Sequence, residues 1–398
     1  TIERRLAKMS NSKPKERFFE QEYEPGEQAQ FDFKEEVPVL FKDGKKIIHL
    51  HFGTLPFSDT VFIKAFPFKN FEAFIDGIHS FFEHINGLTI NIRIDNLSPC
   101  VSKVLRGSKR IYTKAFDRSI AYYGFKVLPC QPGKGNQKGD VERDIRTYAR
   151  RIRLAMRLRT ESFVDFDDLN RWLLMIVERY RSESTKGRLF IESKNFKPLP
   201  PRSEEILCKV DLTTTTSYGT VRIGKSTYSV PDTAIGKSCR VLLSGYSVVI
   251  RELGENANII AVHPRKIEGE HSVLIEHVLP SLIRKPGAMV RWTHRQILFP
   301  LPGFKAFYLL LKSMDNINAE QEFLRAVNLV QHASSEDIGA GMEIICKECS
   351  KEPLSDLKGI LGIKDYNKSS LAIVQNQPEI NSSLSKYDHL IPNLEKVI

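Results

Sequence analysis

The sequence predicts a mixed α/β core, followed by a small all-β barrel and a helical C-terminal region. Three observations predict it. Apolar residues alternate with a period of two from about residue 25, the period switches to helical spacing and back before residue 181, and short alternating runs divided by turn residues fill 206–264.

The first strand is announced by Ala29, Phe31 and Phe33 alternating with Gln28, Gln30 and Asp32, so Asp32 points away from the phenylalanines. Runs at 37–41 and 47–52 are joined by Lys42-Asp43-Gly44-Lys45, where Asp-Gly favours a hairpin turn, and a further run covers 60–66. Phe71, Phe74, Ile75, Ile78, Phe81, Phe82 and Ile85 then recur at helical spacing, and Asn86-Gly87 supplies a stop. Ile90, Ile92 and Ile94 alternate again in a strand that ends at Asp95. Helices are expected over 112–123, 140–159 and 167–181, with a fifth strand over 125–128. The expected organisation is a connector over 1–24, a core over 25–181 and a linker over 182–205 marked by Pro198, Pro200 and Pro201. A barrel over 206–264, a linker and helices over 265–365 and a flexible tail over 366–398 follow.

Composition narrows the class. The 398 residues are 41% hydrophobic and 27% charged, and no apolar run approaches the ~18 residues that span a bilayer, so a membrane role is not expected. Lys and Arg exceed Asp and Glu by 59 to 48, a net +11 that suggests a polyanionic partner. Six scattered cysteines do not form a secreted disulfide framework, and a reducing compartment is expected. The chain starts at Thr1 with no apolar signal segment, which reads as a fragment of a longer protein.

The charge has a location. Residues 134–159 hold nine basic and three acidic residues, a local +6. Along the helix expected there, Ile145, Ala149, Ile152 and Met156 form one face, while Arg143, Arg146, Arg150, Arg153 and Arg157 form another about a third of a turn away. A solvated face is the plain alternative, but such faces usually interleave opposite charges, and a nearly all-arginine face is relieved by DNA through counterion release. Lys134 and Lys138, in a Gly-rich loop ahead of the helix, extend the same basic surface; that loop fits neither a P-loop nor a dinucleotide fingerprint.

Carboxylates supply the chemistry. If the first and fourth strands are neighbours, Asp32 and Asp95 stand side by side, and Glu142, on the seam of the basic helix, can face the sheet above them. Three converging carboxylates stay ionised cheaply only around cations, and oxygen-only ligands select Mg²⁺ or Mn²⁺. Two such ions would clamp the attacking and leaving oxygens of a phosphodiester. Solvated surface carboxylates are the competing reading of the same three residues. Elsewhere, Cys346 and Cys349 have zinc-ligand spacing without a second pair and read as thiols on a helix. His49 and His51 are expected on the polar face of a strand.

These residues resemble a known family. Pro25-Gly26-Glu27-Gln28-Ala29-Gln30-Phe31-Asp32, Ile94-Asp95-Asn96, Tyr123-Gly124-Phe125, Pro129-Cys130-Gln131-Pro132 and Lys138-Gly139-Asp140-Val141-Glu142 are similar, in order, to the IstA-type transposases of the insertion-sequence-21 family. Tyr218-Gly219, Tyr228-Ser229-Val230-Pro231 and His263-Pro264-Arg265 resemble the segment after the catalytic core. The resemblance spans about residues 25 to 265 and implies a ribonuclease-H-like core of the DDE transposase and integrase superfamily. It puts Asp32, Asp95 and Glu142 on the catalytic triad and implies Mg²⁺-dependent cleavage of transposon ends and strand transfer into target DNA. An IstB-type AAA+ ATPase partner, a homo-oligomer, a cytoplasmic, nucleoid-associated location in a bacterium and an upstream helix-turn-helix region absent from this chain are implied too. Glu142 follows Asp95 by 47 positions, and the extra length is expected within 97–110. A catalytically inactive assembly protein and a nuclease that does not join ends are the alternatives.

Overall fold

The computed structural model describes residues 21–94, 100–104, 110–129, 139–254, 257–315 and 317–363; within these, the side chains of 34–35, 102–104, 110, 129 and 139–145 lie outside the description. The chain divides into two compact units, 1–209 with 244–246 and 210–243 with 247–398.

The first unit is built on a five-stranded sheet of β1 (Gln28–Phe41), β2 (Gly44–Leu55), β3 (Thr60–Phe66), β4 (Asn91–Ile94) and β7 (Lys126–Pro129), in the order β3-β2-β1-β4-β7. β1, β2 and β3 form antiparallel pairs, while β4 runs parallel to both β1 and β7. The separate apolar runs at 29–33 and 37–41 prove to be one strand, with a register shift between Lys34 and Glu36. One extra residue reverses the phase of alternation. Phe31 and Phe33 therefore join the core on one face of the sheet, and Val39 and Phe41 join the core on the other.

Helix α1 (Phe71–Ile85) covers the first face with Phe74, Ile78, Phe81 and Phe82. Asn70 caps its start by accepting from the Ala73 N–H, and Asn86 ends it in the left-handed region at φ 55°. Helix α2 (Lys114–Tyr123) packs on the same side through Phe116 and Tyr123. The helix expected from residue 112 starts later, because Thr113 caps it and Arg110–Tyr112 forms strand β6, paired with β5 (Val101–Val104). The opposite face is covered by α3 (Gly139–Leu158), through Ala149 and Ile152, and by α4 (Phe166–Tyr180), through Leu169, Leu173 and Val177.

Residues 182–205 do not behave as the expected linker. Ser182 caps a further helix, α5 (Glu183–Ser193), and a short α6 (Glu204–Leu207) follows. Between them Lys197 exchanges backbone hydrogen bonds with Leu88 at 2.8 and 2.9 Å, and Phe196, Leu199 and Leu207 pack against the α1-side core. The prolines advertise a break in regular structure, but the apolar residues between them bind the segment down.

In the second unit the strands β8 (Lys209–Thr214), β11 (Ser238–Leu243), β12 (Ser247–Glu252) and β13 (Ile259–Pro264) form one small sheet, and β9 (Thr220–Ile223), β10 (Ser226–Ser229) and β14 (His271–Ser272) another. Val221, Tyr228, Val241, Val248 and Ile250 share their core. Helices α7 (Ile275–Arg284), α8 (Pro302–Lys312), α9 (Ala319–Val327), α10 (Ser335–Glu348) and α11 (Pro353–Ile360) enclose a separate core around Phe304, Phe307, Phe323 and Met342. Buried histidines join the strands to α7. His263 Nε2 donates to the Ser229 carbonyl at 2.7 Å, and Ser229 Oγ lies 2.9 Å from His277 Nδ1 while accepting the Leu274 N–H at 3.0 Å. Burial lowers the pKa of both histidines to about 4. Cys346 and Cys349 are free thiols at the end of α10. No described helix is long and apolar enough to cross a membrane, and the expected tail over 366–398 lies outside the described residues.

Candidate active site and nucleic-acid interface

The junction of β1 and β4 is where the sequence-predicted carboxylates begin. The parallel register pairs Gln28 with Asn91, Gln30 with Arg93 and Phe31 with Ile94. Strand alternation sets Asp32 on the same face as Gln28 and Gln30, half-buried, opposite Phe52 of β2. That is the face α3 covers farther along the sheet. Asp95, the residue after Ile94, lies outside the described residues, as do Lys134 and Lys138. Glu142 and Arg143 fall in the first turn of α3, with side chains outside the description. Among the described residues no three His, Cys, Asp or Glu side chains converge on a metal position. Of the predicted triad, Asp32 alone has a described side chain.

Sequence reasoning missed what stitches the two strands together. Arg93 sends both Nε and Nη2 to Gln28 Oε1 at 3.2 Å, and the Asn91 side chain donates to the Glu27 carbonyl at 3.0 Å. Gln28 is 2% exposed and its Nε2 has no partner, so the amide is held by its oxygen. The signal was available: Gln28, Gln30 and Asp32 form a polar stripe on a strand whose other face is apolar.

Directly behind Asp32, on the opposite face, stands a correction. His51, expected on the polar face of the sheet, is fully buried under α1. Its ring lies 5.6 Å from Phe31 and 5.2 Å from Phe33, the two neighbours of Asp32, and 5.6 Å from Phe74. Neither ring nitrogen has a partner, and burial, reinforced by Lys64, lowers the pKa to about 3, which keeps the ring neutral. Alternation correctly put His51 and Phe52 on different faces of the sheet; what it could not reveal is that both faces are covered. Gly77 makes the room, since a Cβ there would sit 2.6 Å from the His51 ring.

Helix α3 sorts its arginines into two sets. Arg146, Arg150, Arg153 and Arg157 are exposed, and at 100° per residue they fall within about 60° of arc along roughly 16 Å of helix. Arg151 instead stacks on Tyr180 at 4.2 Å and Tyr148 at 5.4 Å, and Arg159 on Phe163 at 4.3 Å. Such stacked guanidiniums contribute about 0.5–1 kcal/mol each at exposed sites and serve the packing of the helix. The exposed set coincides with the described part of the face assigned to DNA from sequence.

Comparison with known proteins gives a consistent direction. No family model matches the chain. It is 24% identical over 330 residues to a transposase of Aminobacter aminovorans, covering 77% of this chain and 63% of that one. It is 23% identical over 352 residues to the transposase for insertion sequences IS1326/IS1353 of Pseudomonas aeruginosa, covering 84% and 67%. Against the transposase for insertion sequence element IS21 of Pseudomonas aeruginosa the identity is 26% over 243 residues, 60% of each chain. The chain thus spans about two thirds of the length of such relatives. Among solved structures, a chain in the simian T-cell lymphotropic virus intasome bound to PP2A regulatory subunit B56 gamma is 14% identical, with a TM-score of 0.35, over 64% of this chain and 85% of that one. A score that low adds no weight.

Proposed function

We propose that this chain, a relative of the insertion-sequence transposases and of the IS21 transposase among them, is the catalytic portion of a DDE-type DNA transposase with a ribonuclease-H-like core. It would cleave transposon ends and join the freed 3′-OH to target DNA. The observation that carries this reading is the parallel β1–β4 register, in which Phe31 pairs with Ile94. Asp32 and Asp95 are the residues that follow this pair in the sequence, and Glu142 falls in the first turn of the helix on the Asp32 side of the sheet.

The donor set suits a hard divalent cation. Asp32 is a half-buried carboxylate on the polar side of its strand, and all three candidates offer oxygen only. Asp32, Asp95 and Glu142 would hold two Mg²⁺ ions, with Mn²⁺ as a substitute, and the ions supply the Lewis acidity that activates the attacking oxygen and neutralises charge on the phosphodiester. The chain's own residues supply the rest. The Arg93–Gln28 pair fixes strand against strand, and the buried aromatic packing of Phe31 and Phe33 around His51 holds the backbone of Asp32 from behind. Arg143, Arg146, Arg150, Arg153 and Arg157, with Lys134 and Lys138 ahead of them, neutralise the phosphate backbone that passes the carboxylates.

Holding two transposon ends implies a homo-oligomer, and the family resemblance implies an IstB-type AAA+ ATPase partner and a cytoplasmic setting at bacterial DNA. The strands of 206–264 serve as the barrel that follows the core. Incubating the full chain with labelled transposon-end DNA, target DNA and Mg²⁺ tests the reading. Joined end–target products are expected. Cut ends without joining would make the protein a nuclease, and no cleavage in Mg²⁺ or Mn²⁺ would leave an assembly protein.

A further inference from the structure

The second unit carries a basic surface that no part of the catalytic account uses. From His277 to Met314 the chain runs for 38 residues with six Lys and Arg and no Asp or Glu, although 48 acidic residues in 398 would place about five there. The fold neutralises only the two ends of that run. Arg284 Nη2 lies 2.6 Å from Asp232, and Lys312 Nζ lies 2.5 Å from Glu320. Between them, Lys285, Arg291, Arg295 and Lys305 form no ion pair among the described residues.

Three of these four stand together. Pro286–Arg291 is a 3₁₀ helix, and three residues per turn set Lys285, Ala288 and Arg291 in one row at about 6 Å per turn. All three are exposed, while Met289 is buried in the core of the C-terminal helices. Arg295 folds back beside them, its Nη1 donating to the Val290 carbonyl at 2.7 Å. A neutral carbonyl orients the guanidinium and leaves its charge in place. The turn is also braced. The Trp292 ring packs on the helical core and stands 5.9 Å from the His294 ring, which stands 5.3 Å from that of His271 on β14. His271 Nδ1 in turn lies 2.6 Å from Thr227 Oγ1 on β10. Like charges grouped without a carboxylate repel one another, so folding does not favour this arrangement, whereas holding them on a fixed turn lowers the ordering cost of binding an anion.

We infer that the turn over 285–295 is a second DNA-contacting surface, separate from the arginine stripe of α3, and that its partner is the phosphate backbone of duplex DNA. The row from Lys285 to Arg291 extends over roughly 12 Å, a length of duplex that carries about seven phosphates. Contacts of this kind position DNA without reading its sequence, so DNA of any sequence serves as the probe. The choice of DNA over an acidic protein rests on the transposase reading proposed above, and the test separates the two.

The full chain is titrated with duplex DNA of unrelated sequence over a series of NaCl concentrations, as wild type, as Lys285→Gln/Arg291→Gln, as Lys285→Ala/Arg291→Ala/Arg295→Ala and as Arg146→Ala/Arg150→Ala/Arg153→Ala. Each lost phosphate contact lowers the slope of log affinity against log salt by about 0.9, so the double variant should lose up to about 1.8 in slope and the triple variant up to about 2.7, with roughly tenfold or more in affinity at low salt. The double variant leaves the bond from Arg295 to Val290 in place, and an unchanged melting temperature shows that its folding is intact. Lys347→Gln/Lys351→Gln, at exposed positions about the end of α10, removes the same charge elsewhere in the second unit and should keep the wild-type slope. If that control loses as much slope as the double variant, the effect is one of bulk charge and the inference is overturned. If the α3 variant weakens and both turn variants bind as wild type does, the inference is likewise overturned, the turn faces protein, and the transposase reading stands. If wild type itself fails to bind DNA, the reading falls and takes the inference with it.

Discussion

Two groups of charges in the first unit differ in what surrounds them. Around α1, Lys64 donates to Asp76 at 2.7 Å and to Ser80 at 2.8 Å, while Arg202 pairs with Asp76 and, at 3.0 Å, with Glu83. These groups come from β3, α1 and the strap before α6, and the pairing ties the three together. On α3, by contrast, Arg146, Arg150, Arg153 and Arg157 repeat at intervals of three and four along one exposed face. Charges that hold the fold are set across elements, opposite in sign and partly buried. Charges set along one element, alike in sign and exposed, contribute little to stability.

That contrast can be broken at either end. The largest stability loss is expected from Arg202→Ala, which leaves Asp76, 6% exposed, with one cation fewer; a cost of roughly 3 kcal/mol is expected in denaturant unfolding, with DNA affinity of the folded protein unchanged. Removing 182–207 from a core fragment should do more than shorten a linker, because Phe196, Leu199 and Leu207 leave the core with it. A 21–181 fragment should expose apolar surface and aggregate where a 21–209 fragment gives a sharp melt. Gly77→Ala forces a Cβ against the His51 ring and should cost about 1–3 kcal/mol. His51→Leu in the same place removes two unpartnered nitrogens and should be neutral or stabilising. The smallest effect on stability, within about 0.5 kcal/mol, is expected for Arg146→Ala/Arg150→Ala/Arg153→Ala, which should instead flatten the salt dependence of DNA binding.

Acid supplies a further test. His51, with its pKa lowered to about 3, and His263 and His277, lowered to about 4, bind protons in the unfolded chain below about pH 6.5 but not in the folded one. The contribution of these three rings should therefore be level above that pH and fall as pH drops from about 6.5 toward 4, at about 1.4 kcal/mol per pH unit for each histidine fully protonated in the unfolded state. Replacing His51 by Leu should remove one proton from that uptake. A stability profile flat down to pH 4 would mean that these rings are already charged in the fold.

Much of the core was legible because local pattern and tertiary role agree. Phe31 and Phe33 alternate with Asp32, and the helix ending at Asn86 carries an unbroken apolar stripe. Asn318, whose side chain accepts the Gln321 N–H at 3.0 Å, opens α9 with a residue type that favours helix starts. What escaped depends on partners distant in sequence. The bulge after Lys34 is recognisable only once β2 fixes the register, and the burial of His51 only once α1 lies over it. The segment 182–205 displays its prolines locally, whereas Leu88, Asp76 and Glu83, which fasten it, stand about a hundred residues earlier. Of the candidate site, sequence named the three carboxylates and the arginine face, but not Arg93 and Gln28, whose types carry no chemistry until two strands set them side by side.

The central claim is that Asp32, Asp95 and Glu142 act together on a phosphodiester. Strand transfer by the full chain on transposon-end DNA, in Mg²⁺ and in Mn²⁺, measured for Asp32→Asn, Asp95→Asn and Glu142→Gln beside wild type, tests it most directly. Each substitution should abolish joined products while DNA binding and the melting temperature stay close to wild type. Full strand transfer by all three variants would contradict the assignment.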